Sequence, residues 1–269
     1  MRTCAYRLQL KKIVLTMICL AASMGLLSGC GNEAKAVNGA MDIDLKSLPT
    51  EMVDPMQWSD DPEAIYLLAE LPEDDIYLYG LGDKSHVLLR QGEQRALLDW
   101  EYITPRLILP EMHFADYDGD GGKELAVVLY VGSGTGVSVE ELHIVSWRGA
   151  EAVDYLYHSE DYKNQLAEQT KWSYDADNKK ATLHCGYLDV YLPEGADTHY
   201  DEVEGIADFG SQVDFELTDD GKIKARFALG LLRPEQASPD YHGVINAEVS
   251  FRKGKFSMDP NTMIYKEEM

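Results

Sequence analysis

Beyond residue 30 the chain has one cysteine, Cys185; the other three, Cys4, Cys19 and Cys30, fall in the first thirty positions. An internal disulfide beyond residue 30 is thereby excluded, and a fold there is held by its apolar core, or by core plus metal. Basic charge is scarce too. Lys and Arg number 24 against 47 Asp and Glu, a formal charge of −23. Such an excess repels nucleic acid and anionic lipid and favours metal cations and cationic partners. No H-E-x-x-H and no C-x-x-C occurs, so a zinc enzyme has no support in the sequence.

What is present begins at the N-terminus. Arg2, Arg7, Lys11 and Lys12 stand in the first twelve residues with no acid, and an apolar run follows from Ile13 to Leu27. That run is too short to cross a ~30 Å hydrocarbon core but suits an export signal. It ends Leu27-Ser28-Gly29-Cys30, which resembles the lipobox of bacterial lipoproteins. The resemblance implies that residues 1–29 are a signal peptide and that the Cys30 thiol carries lipid, anchoring the mature protein to the extracytoplasmic face of a membrane. Loss of residues 1–29 removes four positive charges and no negative one, taking −23 to about −27. Lipid, not a basic patch, then holds the protein at the membrane. Residues 30–58 are small and polar and are expected to form a flexible tether, with residues 59–269 as the exported domain.

At Asp61-Pro62-Glu63-Ala64 a capping residue precedes a proline, and Ile65, Leu68 and Ala69 recur at helical spacing before Pro72, which predicts a short leading helix. From Ile76 onward the pattern becomes short β-like runs, IYLYGL, HVLLR, RALLDW, EMHFAD, ELAVVLYV and ELHIVSW, separated by turn residues. One helix is expected from Ser159 to Thr170, with Tyr162 and Leu166 on one face. KWSYDADNKKATLHC, VDFELTDDGKIKARFAL and VSFRKGKFSM each read as two strands around a tight turn, with Asp220-Gly221 as a two-residue hairpin signal. The fold class is mainly β: an antiparallel meander arranged as a sandwich, barrel or partial propeller, with one or two short helices. ELAVVLYV implies a strand buried on both faces.

The stretch Phe114-Ala115-Asp116-Tyr117-Asp118-Gly119-Asp120-Gly121-Gly122-Lys123-Glu124 carries the clearest chemistry. Alternate Asp116, Asp118 and Asp120 can turn three carboxylates into one concavity, Gly121 permits the sharp turn, and the Gly122 carbonyl and Glu124 side chain can close it around calcium. The twelfth position counted from Asp116 is Val127, where a helical EF-hand needs a bidentate Glu. The acid at the ninth position and the strand-like flanks are instead similar to the calcium loops of the FG-GAP and VCBS families, whose repeats form propeller blades. That resemblance covers about fifteen residues. It implies Asp116, Asp118, Asp120 and Glu124 as side-chain ligands, Gly122 as a carbonyl ligand, and a structural Ca²⁺. The chain departs from the families in two ways. It has one good copy, Asp175-Ala176-Asp177-Asn178 being a poor second, where a propeller needs at least four blades. It also has Glu124 where Asp is commoner.

Other signals point to structure more than to chemistry. Gly132-Ser133-Gly134-Thr135-Gly136 lacks the Lys and Ser/Thr of a phosphate loop and joins strand to strand. His184 and Cys185 are neighbours on a strand and face opposite ways. Glu140 with Glu141, or Asp201 with Glu202 and Glu204, could serve as a carboxylate pair, but such pairs abound in so acidic a chain. Tyr77, Tyr79, Trp100 and Trp147 fall in strand runs where core packing accounts for them. The expectation is a non-enzymatic, lipid-anchored binding module with an extracytoplasmic protein or glycan partner. The alternatives are a cell-envelope glycan or peptide hydrolase and an accessory subunit of an envelope complex.

Overall fold

The computed structural model describes residues 34–35, 43–59, 61–102, 108–178, 180–192, 207–209, 211–231 and 240–267. The expected signal peptide, Cys30, Asp201, Glu202 and Glu204 lie outside them. After a two-residue strand β1 (Ala34–Lys35), strands β2 (Ile65–Leu71), β3 (Ile76–Leu81), β4 (Val87–Gln91) and β5 (Gln94–Leu98) form a four-stranded antiparallel meander. Strands β6 (Glu111–Ala115), β7 (Glu124–Gly134), β8 (Val137–Arg148) and β9 (Glu151–Leu156) continue as an antiparallel run in a second, larger sheet, where β1 pairs with β9. Helix α1 (Ser159–Gln169) leads into a small sheet of β10 (Thr170–Asp175), β11 (Lys180–Cys185) and β12 (Leu188–Leu192). The larger sheet then resumes with β13 (Ala207–Asp208), β14 (Gln212–Leu217), β15 (Ile223–Leu231), β16 (Asp240–Arg252), β17 (Lys255–Met258) and β18 (Ile264–Lys266). The fold is thus mainly β, with antiparallel sheets and one α-helix, and no barrel closes among the described residues. No described helix is long and apolar enough to cross a membrane.

Strand β7 shows why the layers stack as they do. Leu125, Val127 and Leu129 face the β2–β5 sheet, while Ala126 and Val128 face the core shared with β14, β15 and β16. Alternate residues of one strand thus feed two cores, as its continuous apolar run requires. Strand β8 is shared along one edge: β14 pairs in parallel at Ser138 and Val139, and β9 takes over in antiparallel fashion from His143. The larger sheet forks there and folds back on itself, with Tyr162 and Leu166 of α1 closing the core between its arms.

Three expectations are corrected. The segment read as a leading helix is strand β2. Asp61 caps a single turn, accepting from Glu63 N at 3.0 Å, and pairing with β3 takes over. Residues 43–58, expected within the tether, are packed: Leu48 is 6% exposed, Met52 bridges Leu67, and Ile43 and Leu45 cover the outer face of β2–β5. The Asp220-Gly221 turn is also wider than two residues, since Thr218 N donates to the Lys222 carbonyl at 3.0 Å and only Gly221 has a positive φ, 74°.

Candidate functional site

Residues 116–123 form the loop of the β6–β7 hairpin, closed by the pair Ala115–Glu124. Gly119 and Gly121, at φ 78° and 92°, reverse the chain in conformations that cost an L side chain about 1–2 kcal/mol. The aspartates are held by the loop's own backbone. Asp116 accepts from Gly119 N at 2.7 Å and Gly121 N at 3.1 Å, Asp118 from Asp120 N at 2.9 Å, and Asp120 from Gly122 N at 2.7 Å. One oxygen from each of the three lies within 4.8 Å of the others. Two oxygens on one calcium ion at 2.3–2.6 Å are separated by at most about 5 Å, so this spread fits a shared ion. An ionised carboxylate has about four acceptor sites, so the backbone bonds leave room for a metal.

Gly122 and Glu124 complete the surroundings. A Cβ at Gly122 would stand 3.0 Å from Asp120 Oδ1 and 3.9 Å from Glu124 Oε1, so the bare backbone keeps that cradle open. Glu124 is 7% exposed and its Oε2 accepts from Tyr117 N at 2.9 Å. Burial raises its carboxyl above the usual range, the Tyr117 N–H opposes this, and the charges of Asp118 and Asp120 add to the rise. The structure therefore gathers Asp116, Asp118 and Asp120 closely, with Gly122 and Glu124 beside them and Glu124 outside the 4.8 Å group. An all-oxygen set dominated by carboxylates suits a hard cation such as Ca²⁺ and not the N/S preference of zinc.

Beside the loop opens a cleft of about 670 Å³, lined by Asp118, Asp120, Gly122, Lys123 and Glu124 on one wall. Gln91 and Gln94 of the β4–β5 hairpin, Trp147 and Arg148 at the end of β8, and Lys253 of the β16–β17 turn line it as well, and Arg148 Nη2 donates to the Tyr155 hydroxyl. Tyr155 and Phe251 pack at 5.2 Å beneath. The lining is mostly polar and charged, unlike the mainly apolar lining usual for a small-molecule site.

Three groupings are set by strand register, which the sequence pattern does not give. His143 Nδ1 lies 3.0 Å from Asp154 Oδ1, Asp154 Oδ2 accepts from Trp100 Nε1 at 2.7 Å, and the Trp100 and His143 rings are 4.2 Å apart, all buried. Glu140 accepts from Phe215 N at the fork of β8. On the open face of the β10–β12 sheet, Ser173 Oγ lies 3.2 Å from His184 Nε2, and His184 Nδ1 lies 2.6 Å from Asp189 Oδ1. That has the order of a serine-hydrolase triad without its enclosure, since the Asp189 side chain is 58% exposed. Cys185, by contrast, is buried, and burial pushes its thiol up to about 11, which suits packing and not nucleophilic attack. The Asp175 turn only caps itself, accepting from Asp177 N and Asn178 N. No protein-family model, curated protein or solved structure matches this chain.

Proposed function

We propose that the chain is an exported lipoprotein, anchored through lipid on Cys30, whose β-rich domain carries one structural calcium ion and binds an extracytoplasmic protein or glycan. The observation that carries the calcium part is the convergence of Asp116, Asp118 and Asp120 within 4.8 Å, beside the open cradle at Gly122. The loop is similar to those of the FG-GAP and VCBS families, where such an ion neutralises the carboxylates and braces the turn. The cleft that shares the loop's wall brings cations, amides and an indole together, which supports a binding role. Calorimetric titration of calcium into the chelator-stripped protein tests the reading. Binding near one equivalent that disappears in Asp118→Ala/Asp120→Ala supports it, and the absence of heat in wild type removes it. Metabolic labelling with a radioactive fatty acid, lost in Cys30→Ser, tests the anchor.

The hydrolase reading has one observation in its favour, the Ser173–His184–Asp189 chain of hydrogen bonds. A fluorophosphonate probe decides it: stoichiometric labelling of Ser173 establishes an activated serine, and an unlabelled protein leaves the trio as a cross-strand polar network.

A further inference from the structure

We infer that a groove on the outer face of β14, β15, β16 and β18 binds a short peptide with free ends, its amino group at Glu248 and its carboxylate at Lys266. The groove encloses about 680 Å³ and shares no lining residue with the cleft beside the acidic loop. It is a site apart from both, and it stands whether or not calcium binds.

Strand register lays the groove's side chains out in rows. Phe215, Ala225 and Ala247 enter the core, so the residues that alternate with them share the opposite face. At one end Lys224 pairs with Glu216 on one side and Glu248 on the other, a row of two acids and one base. In the next row Asp214, Arg226, Asn246 and Ile264 stand side by side, with one acid and one base. The third holds Lys266, opposite Val244, and no other charge of the lining. The rows therefore carry −1, 0 and +1, with all six charged lining residues counted. Two ion pairs close within the first two rows: Lys224 Nζ lies 2.9 Å from Glu216 Oε1, and Arg226 Nε donates to Asp214 Oδ2 at 2.7 Å. Glu248 and Lys266 are left as opposed charges at the two ends, and neither side chain makes an ion pair or hydrogen bond among the described residues.

Spacing selects the ligand. Successive rows are two residues apart, so the Glu248 row and the Lys266 row are separated by about 13 Å along β16. A single amino acid is too short to meet both charges, whereas four extended residues reach about 13–14 Å. A neutral glycan answers neither end charge, and a polyanion answers only one. The middle row suits what lies between the ends of a peptide. Asn246 Nδ2 is buried without a hydrogen-bond partner among the described residues, and Ile264 is 54% exposed. A buried donor left unmade costs free energy that a peptide carbonyl recovers, and Ile264 gains by covering an apolar side chain.

The test is calorimetry on the full-length protein in detergent micelles, with tetraalanine as the probe, in calcium and again in EDTA. Tetraalanine is expected to bind equally in both buffers, and free alanine not to bind. N-acetyl-tetraalanine, which lacks the amino charge, and tetraalanine amide, which lacks the carboxylate, are each expected to bind about tenfold more weakly. Glu248→Gln is expected to bind tetraalanine and its N-acetyl form alike, and Lys266→Gln to bind tetraalanine and its amide alike, which fixes the direction of the peptide. Lys266 is exposed, so its variant decides alone should Glu248→Gln fail to fold. Absence of tetraalanine heat overturns the inference, and so does equal binding of the blocked peptides or a heat lost in EDTA. Neutral chitotetraose bound as tightly as tetraalanine makes the groove a glycan site and overturns it too.

Discussion

Glu140 sits at the fork of β8, between the last residue paired with β14 and the first paired with β9. No ladder reaches the Phe215 N–H there, and Glu140 Oε2 takes it at 2.7 Å. Burial pushes this carboxyl up to about 7; the Phe215 N–H opposes the rise, and Asp214 and Glu111 reinforce it. Because the folded value lies above the unfolded 4.5, the proton favours the fold: the gain is complete below 4.5 and lost as pH rises through about 7. Glu140→Gln keeps an acceptor for Phe215 and cannot ionise. It is expected to be more stable than wild type at pH 8 by roughly 1–2 kcal/mol, after a discount for partial solvation, and no more stable at pH 4. Urea denaturation at the two pH values measures this, and a variant weaker than wild type at pH 8 contradicts it. His143 follows the same sign in a higher window. Burial works to lower its pKa, but Asp154 at 3.0 Å and Glu141 at 3.8 Å outweigh burial and raise it from 6.5 to about 9. Its contribution is full below pH 6.5 and fades as pH rises through about 9. Asp154→Asn is expected to cost about 3–5 kcal/mol at pH 6, through the buried imidazolium left without its counter-charge. It should also flatten the stability profile between pH 6.5 and 9; a profile unchanged by the substitution sinks this account.

At the scale of the element, hairpins recover what their sequences promise where the turn chemistry is local, and fail where a bulge intervenes. Runs IYLYGL, EMHFA and ELAVVLYV coincide with β3, β6 and most of β7, because alternation and flanking turn residues lie within each run. Strand β2 misleads because of an irregularity. Leu67 and Ala69 pair with the adjacent residues Tyr79 and Leu78, which leaves Leu68 as the extra residue of a bulge. The bulge flips the alternation, so Tyr66, Leu68, Ala69 and Leu71 all face one core, a spacing that mimics a helix. The acidic loop was legible because its carboxylates lie within nine residues of the chain. The His143–Asp154–Trp100 cluster was not, because its register is set by three separate segments. The β16–β17 turn allows a direct comparison of backbone and packing effects. At Gly254 a Cβ would stand 2.6 Å from the Tyr155 ring at φ 75°, whereas at Gly92, φ 57°, the nearest atom is 3.9 Å away. Gly92→Ala is expected to cost about 1 kcal/mol, the backbone term alone. Gly254→Ala must also displace a buried ring and is expected to cost about 2–4 kcal/mol. Thermal melts of the two variants separate the terms, and equal losses would mean that Tyr155 yields freely.

On the scale of the whole molecule, the loop touches distant strands of the larger sheet and the neighbourhood of the β2–β5 sheet. It grows from β6 and β7, its Asp118 carbonyl accepts from Arg252 Nη1 of β16 at 3.0 Å, and Lys123 reaches Asp74 beside the β2–β5 sheet at 3.9 Å. Bracing the loop therefore ties segments far apart in the chain, and the effect should appear in global stability and not only in local order. Two ionic effects are to be separated in a chain of formal charge −23: general screening of self-repulsion, which any salt supplies, and the proposed occupancy of one site by calcium. With a dissociation constant of about 10⁻⁴ to 10⁻³ M, as in extracellular modules, 10 mM calcium contributes roughly 1.4–2.7 kcal/mol by mass action. In a domain of this size that corresponds to a rise of about 3–10 °C in melting temperature beyond the shift from sodium chloride at equal ionic strength. Asp118→Ala/Asp120→Ala is expected to abolish the calcium-specific rise and to keep the sodium chloride shift, because two charges fewer barely alter the whole-molecule field. If calcium and sodium chloride act alike on wild type at matched ionic strength, the acidic loop is a turn like any other.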